Sequence, residues 1–96
     1  KNTKETIMVG DIIGDLGEYD WAIEIYESSL YSHILDPEYK KNSPDIKLKL
    51  ALSYFFINNF EKSRQRFTEL NNEVNLKNTP IYPELKPILL KLGLTI

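Results

Sequence analysis

The chain has 96 residues, no cysteine and a formal net charge of −2, with 42% hydrophobic and 27% charged residues. This length allows one small domain with an ordinary soluble composition, and no run approaches the ~18 consecutive apolar residues of a membrane span. The absence of cysteine excludes disulfides and favours an intracellular, cytoplasmic location, and the lack of a basic surplus argues against nucleic-acid binding. Because the chain begins at Lys1 and ends on apolar residues, we expect a piece of a longer protein.

The first 35 residues predict two antiparallel helices. The first begins after Thr3 as N-cap and ends at Gly17, because a left-handed residue after a helix suits glycine. The second runs from about Tyr19 to Leu35 and stops before Pro37. Their apolar residues recur at helical spacing and predict two inner stripes: Ile7, Met8, Ile12, Ile13 and Leu16 in the first helix, and Trp21, Ala22, Ile25, Tyr26, Ser29, Leu30 and His33 in the second.

Gly10 and Gly14 lie inside the first predicted helix. Each costs a helix roughly 0.5–1 kcal/mol relative to alanine. A helix that carries two such residues usually gains by letting another backbone approach, so we expect close packing there.

Three more helices are predicted after a polar connection over 36–43. They cover about 44–57, then 60–74, and finally a short stretch that starts between Pro83 and Pro87 and reaches the end of the chain. The third helix has a strong start signal in Ser43-Pro44-Asp45, with a cap, a proline at the first helical position and an acid. It is apolar on more than one face, which predicts that it is sandwiched between neighbours or presents a groove.

The charge is unevenly distributed along the chain. Residues 1–38 carry two lysines against nine acids, a net −7, whereas residues 39–66 carry seven bases against two acids, a net +5. Two interpretations stay open: neighbouring elements attract each other across their solvated faces, or a bipolar surface steers a charged partner.

An internal repeat with an offset of 41 residues runs through both helix pairs. Small residues match small ones and large apolar residues match large ones in the pairs Gly10/Ala51, Ile13/Tyr54, Tyr19/Phe60, Ala22/Ser63 and Tyr26/Phe67. A third copy is predicted near the end, where Leu89, Leu92, Gly93 and Ile96 have the spacing of Thr6, Val9, Gly10 and Ile13. Self-similarity at a fixed period is typical of helical solenoids.

With these positions the chain resembles the tetratricopeptide repeat (TPR) family, whose units pair small and aromatic residues across two helices. The resemblance implies an all-α fold in one domain over 1–96, with unit one at about 3–36, unit two at about 44–75 and the start of a third at about 86–96. The departures are Thr6 and Lys47 at the first large position, a proline displaced to Pro37, and a period longer than the usual ~34 residues. The extra residues lengthen the second helix and its loop.

The resemblance further implies a protein-interaction scaffold whose first helices line a concave partner-binding groove. Mapped on this chain, the groove residues are Ile7, Asp11, Asp15, Leu48, Leu52, Phe55 and Phe56. In the family's carboxylate clamp for chaperone tails, Ile7 and Asp11 stand at the clamp lysine and asparagine positions, so such a tail is disfavoured. The acids beside an apolar floor suit an amphipathic or basic-hydrophobic segment. The alternative is that further repeats cover these residues.

Two other classes of function are alternatives to the scaffold. An enzyme is disfavoured because no nucleophile–base set, phosphate loop or metal cluster accompanies Asp11 and Asp15, so no catalytic residue, cofactor or metal is expected. His33 is interpreted as a partly buried packing residue. The third hypothesis is a self-associating structural segment, which dimerises through an exposed terminal helix, Leu89 to Ile96.

Overall fold

The computed structural model describes residues 3–32 and 39–96, with side chains over 5–31 and 41–96. This part of the chain contains helices and no strand, which confirms the predicted all-α class. His33 and Pro37 lie outside the described residues. The elements are α1 (Thr3–Asp15), α2 (Tyr19–Ser32), α3 (Tyr39–Phe56), α4 (Phe60–Glu73), a short 3₁₀ helix (Leu76–Asn78) and α5 (Tyr82–Lys91).

The central helix is α3, which packs against α2 on one side and α4 on the other. Adjacent residues divide between two cores: Leu50 belongs to the core shared with α1 and α2, and Ala51 to the core shared with α4 and α5. Both are fully buried. The prediction that this helix is sandwiched between neighbours is confirmed, because two cores require two apolar sides of one helix.

Close packing of α1 on α2 occurs at one of the two expected glycines, Gly10, and it involves a side chain and not a backbone. A Cβ atom built on Gly10 would lie 2.6 Å from Cε1 of Tyr26, whereas one on Gly14 would lie 3.7 Å from Cβ of Ala22. The first distance is below any normal contact and the second is ordinary. Gly10 is therefore required by the aromatic ring that lies against it, and not by a second backbone.

Three helices end in the same left-handed turn. The left-handed residues are Gly17 (φ 85°), Asn58 (φ 64°) and Gly93 (φ 76°). In each turn the next amide donates to the carbonyl five positions earlier, with N···O distances of 3.2, 2.9 and 2.9 Å. This closes the helix end and satisfies carbonyls that have no partner within the helix. Asn58 follows Gly17 by 41 residues, the offset of the sequence repeat.

The predicted register of the third copy is wrong. The sequence pattern pairs Gly93 with the mid-helix Gly10, yet Gly93 is the left-handed residue after α5 and corresponds to Gly17. For the same reason α5 ends at Lys91 and does not reach the end of the chain. A spacing of apolar residues over one helical turn is compatible with several registers, and only the backbone turn distinguishes them.

The start of α3 also differs from the prediction. The helix begins at Tyr39, so Ser43 lies inside it and Pro44 is an interior residue. Ser43 is buried, and its hydroxyl donates to Oε2 of Glu73 on α4 at 3.3 Å. Lys47 forms an ion pair with the same carboxylate. Contacts between α3 and α4 therefore override the local start signal at Ser43-Pro44.

The inner stripes of α1 and α2 were predicted too broadly. Ile7 and Ile13 are buried, but Met8, Ile12 and Leu16 are exposed, as is Trp21 on α2. A helix at the end of a row of helices has neighbours on part of its circumference only, so some of its apolar residues stay uncovered.

The expected apolar face of a terminal helix is covered by the chain itself. Leu89 and Leu92 are buried in the core shared with α3 and α4, and Leu94 and Ile96 pack against that core. The hydroxyl of Tyr82 donates to the carbonyl of Ile96 at 2.7 Å and holds the last residues on α5. The predicted dimer surface, Leu89 to Ile96, is therefore mostly used within the domain.

Candidate functional site

An open groove of about 510 Å³ lies between α1 and α3, and two side chains of α2 also line it. Three α1 positions form one wall, including Gly14, whose missing side chain leaves room. The opposite wall is the side of α3 that carries positions 49, 52, 53 and 56, one helical stripe. The lining residues are Asp11, Gly14, Asp15, Tyr19, Tyr26, Lys49, Leu52, Ser53 and Phe56.

Four of the seven residues predicted for the groove line this one: Asp11, Asp15, Leu52 and Phe56.

The other three lie elsewhere. Ile7 is buried in the core between α1, α2 and α3. Leu48 and Phe55 are seven residues apart on another side of α3, and both pack against the core shared with α4 and α5. Nζ of Lys91 lies 5.7 Å from the ring centre of Phe55, which shows that α5 is next to this residue.

The sequence interpretation missed Tyr19, Tyr26 and Lys49 as groove residues. The sequence predicts Tyr19 as the first residue of the second helix and Tyr26 as part of its inner stripe, and both residues also line the groove. The sequence contains one indication that Lys49 is paired: Asp45 lies four residues before it, and the two side chains form an ion pair at 3.1 Å. Its position opposite α1 depends on the register between helices, which a single sequence does not provide.

Both carboxylate oxygens of Asp11 are occupied. The Tyr26 hydroxyl donates a short hydrogen bond to Oδ1, and Nζ of Lys49 donates to Oδ2 at 2.6 Å. Burial and the hydrogen bond to Asp11 raise the pKa of Tyr26 above its usual range, so its hydroxyl keeps its proton. Burial would lower the pKa of Lys49, but hydrogen bonds to Asp11 and Asp45 outweigh it and raise that pKa.

This network changes the charge that the groove presents. The sequence predicted two acids, Asp11 and Asp15, along its edge. Because Asp11 is paired with Lys49, which it shares with Asp45, Asp15 is the carboxylate of the lining that stays exposed and without a salt bridge among the described residues. The groove thus combines apolar side chains, Leu52 and Phe56, with polar groups that are paired to each other and with the carboxylate of Asp15.

A second network repeats this arrangement one helix further along. Glu27 on α2 accepts from the Tyr54 hydroxyl of α3 at 2.5 Å and from Nη2 of Arg66 on α4 at 2.5 Å. In both networks a carboxylate on one helix binds a tyrosine on the next helix and a base on the one after that. Burial would raise the pKa of Glu27, but hydrogen bonds from Arg66 and Tyr54 outweigh it and lower that pKa.

These two ion pairs bear on the uneven charge of the chain. Asp11 and Glu27 belong to the acidic first part, and Lys49 and Arg66 to the basic second part. The opposite charges therefore meet inside the domain, as the first interpretation of the charge pattern holds.

No protein-family model, curated protein or solved structure matches the chain. The resemblance to TPR units thus depends on the residues and geometry of this chain alone. Within residues 3–32 and 39–96, none of the helices combines the length and hydrophobicity that crossing a bilayer requires.

Proposed function

We propose that this chain is a non-catalytic, TPR-like helical-repeat scaffold that holds a segment of a partner protein in the groove between α1 and α3. The observation that carries the proposal is the groove itself: an open channel between α1 and α3 that has an apolar wall and one carboxylate without a salt bridge among the described residues. Its volume of about 510 Å³ is within the roughly 300–1,000 Å³ typical of ligand sites.

The repeat geometry supports the scaffold assignment. Positions 41 residues apart have matching burial: Gly10 and Ala51, Ala22 and Ser63, and Tyr26 and Phe67 are all buried. The helix ends before Glu18 and Asn59 share the same backbone hydrogen bond. Equivalent helix pairs that pack side by side create a groove between their first helices, and repeat proteins commonly bind partners there.

The chemistry of the groove favours a basic-hydrophobic segment. The ring of Phe56 lies 5.2 Å from that of Tyr19, and with Leu52 the two rings form an apolar wall for an aliphatic or aromatic side chain. Asp15 on the opposite wall suits a lysine or arginine. A C-terminal carboxylate has no free cation among the lining residues, because Lys49 is already paired with Asp11 and Asp45.

A peptide-display selection on the immobilised protein, followed by fluorescence anisotropy, tests the proposal. We expect selected peptides to combine a large apolar residue with lysine or arginine. Phe56→Ser and Asp15→Asn should each weaken binding by about tenfold, equivalent to ~1.4 kcal/mol.

The matched controls are Leu90→Ser and Asp20→Asn, which change an exposed leucine on α5 and an exposed acid outside the groove lining. Both should bind as the wild type does. The groove is not the binding site if the selected peptides bind Phe56→Ser and Asp15→Asn with wild-type affinity.

A further inference from the structure

Helices α1, α3 and α5 present three different side chains at the same position of the same turn. Each helix has a left-handed residue two positions after its last helical residue, and the following amide donates to the carbonyl five positions earlier. The last helical residues are therefore equivalent, and they are Asp15, Phe56 and Lys91. All three are exposed. The ends of these helices thus offer an acid, an aromatic ring and a base.

A series of side-chain contacts connects the three helix ends. Asp15 lines the groove together with Tyr19 and Phe56, whose rings are 5.2 Å apart. The ring of Phe55 lies 6.0 Å from that of Phe56, and Nζ of Lys91 lies 5.7 Å from the centre of the Phe55 ring. We call Asp15, Phe56, Phe55 and Lys91 the transverse row. The row begins in the groove between α1 and α3 and continues beyond it to α5.

The centre of the transverse row is apolar. Phe56 is 52% exposed, and Phe55 is partly exposed. Consecutive residues of a helix point about 100° apart, and Leu52, one turn earlier, points between these two directions. The three side chains therefore form a continuous apolar surface on α3, from the groove to the side that faces α5.

The charges at the two ends of the row have no ionic partner within 5–31 and 41–96. Neither Asp15 nor Lys91 takes part in a salt bridge there. The Phe55 ring attracts the ammonium group of Lys91 and positions it, but a ring leaves the positive charge unneutralised. Glu84 lies seven residues before Lys91, which is about 10 Å along α5. A partner that crosses the row therefore meets a negative charge on α1 and a positive charge on α5.

The spacing of the helices sets the pattern that a partner must carry. Packed helices are about 8–10 Å apart, so the path from α1 over α3 to α5 is roughly 20 Å long. An extended chain rises about 3.3 Å per residue and points alternate side chains to one side. About six residue steps therefore cover the row, with four side chains at alternate positions facing it.

We infer that the partner segment crosses α1, α3 and α5 in an extended conformation and presents a base, two apolar side chains and an acid at alternate positions. The base binds Asp15, the apolar side chains pack on Phe56 and Phe55, and the acid binds Lys91. This inference rests on the proposed function and specifies the partner of that site. It adds Lys91, which is outside the groove lining, as a residue that determines which segments bind. Opposite charges at the two ends also fix the direction of the bound chain.

Synthetic peptides test this pattern by fluorescence anisotropy. The probe carries lysine, leucine, leucine and glutamate at alternate positions, with serine between them, blocked termini and a fluorescent label. Both orders of these side chains are synthesised, and the order that binds more tightly is used. A second peptide replaces the glutamate by glutamine, and a third replaces it by lysine. At low ionic strength, where exposed charges are least screened, we expect a Kd below about 100 µM for the first peptide and binding at least ~3-fold weaker for the second.

Variants of α5 assign the difference to Lys91. Lys91→Gln should bind the glutamate peptide at least ~3-fold more weakly than the wild type does, and it should bind the glutamine peptide as the wild type does. Lys91→Glu should prefer the lysine peptide to the glutamate peptide, which reverses the wild-type preference. The matched control is Lys86→Gln, an exposed lysine on another side of α5, which should bind all three peptides as the wild type does. Circular dichroism verifies that each variant keeps its helicity.

Three results would overturn the inference. The first is equal binding of the glutamate and glutamine peptides by the wild type, and the second is wild-type binding of the glutamate peptide by Lys91→Gln. The third is a lack of saturable binding by either order of the probe while peptides from the display selection do bind.

The groove variants distinguish this failure from failure of the proposed function. If Asp15→Asn and Phe56→Ser weaken binding while Lys91→Gln does not, the groove remains the binding site and only the inference fails. If Asp15→Asn and Phe56→Ser bind as the wild type does, both the inference and the proposed function fail.

Discussion

Gly10 is the position where one methyl group tests the packing of α1 on α2. In Gly10→Ala the new Cβ would lie 2.6 Å from Cε1 of Tyr26. This ring cannot simply rotate away, because Tyr26 is 4% exposed and its hydroxyl is bonded to Asp11. Either the ring or the helix must shift, and a shift of the ring strains the bond to Asp11.

The expected magnitude follows from two opposing terms. Alanine stabilises a helix relative to glycine by roughly 0.5–1 kcal/mol. Overpacking a buried contact costs typically about 1–3 kcal/mol. The balance predicts that Gly10→Ala lowers the free energy of unfolding by about 1–2 kcal/mol.

Gly14→Ala is the matched control in the same helix. Its Cβ would meet Cβ of Ala22 at 3.7 Å, an ordinary contact, so only the helix term applies. We expect stabilisation by about 0.5–1 kcal/mol. The two chemically identical substitutions, four residues apart, should therefore have opposite signs.

The stability of both variants is measured by thermal and urea unfolding. Circular dichroism at 222 nm follows the loss of helix. For a domain of this size 1 kcal/mol changes Tm by about 4–8 °C, so the opposite shifts are resolvable. A Tyr26→Leu background should remove most of the penalty at Gly10, because the clashing ring atom is gone. If Gly10→Ala and Gly14→Ala stabilise the protein equally, the close approach of Tyr26 is not a constraint and the reasoning is refuted.

Three further predictions concern the core, the ion pairs and a turn. Ser63→Ala should destabilise by about 1–2 kcal/mol in urea unfolding, because its buried hydroxyl donates to a carbonyl of α3 at 2.7 Å; Thr68→Ala, which removes an exposed hydroxyl, should change little. Folding lowers the pKa of Glu27, so the unfolded state binds a proton at this residue more tightly than the folded state does. The ionised Glu27 therefore stabilises the folded protein at neutral pH, and this contribution is lost as pH falls below the ordinary glutamate pKa of about 4.3. Urea midpoints between about pH 6 and 3 should therefore fall more steeply for the wild type than for Glu27→Gln, and parallel curves would contradict the assignment. Asn58→Gly should keep or raise Tm, whereas Asn58→Ala should lose about 1–2 kcal/mol, because φ at this position is 64°; equal Tm values for the two variants would argue against a left-handed residue there.

The two carboxylate–tyrosine–base networks explain why the charge pattern and the repeat pattern coexist. Asp11 and Glu27 each bind the two following helices, so the networks fix the order in which helices pack. The networks also pair charged side chains, such as Asp11, that the sequence suggested were available to a ligand. What the groove still offers to a partner is the carboxylate of Asp15 and the apolar side chains of Leu52 and Phe56.

Local features of the fold were predictable from the sequence. The helical class, the turn at Gly17 and the tight packing at Gly10 depend on a few neighbouring residues and on the conformational freedom of glycine. The boundary between α3 and α4 agrees with the predicted ranges, about 44–57 and 60–74. In the structure Asn58 is the left-handed residue at this turn, and the side chain of Asn59 accepts from the amide of Lys62.

The tertiary structure alone decided which apolar residues are covered. Periodicity placed Ile12 and Ile13 in one stripe, yet Ile13 is buried and Ile12 is exposed, because α1 has neighbours on one part of its circumference only. It also decided that Asp11 contacts Lys49. These residues are 38 positions apart in the chain, and their contact depends on the axial position of α3 relative to α1. A single sequence determines which residues prefer burial and which can turn the chain; the register and number of packed helices are needed to determine which of them remain for a partner.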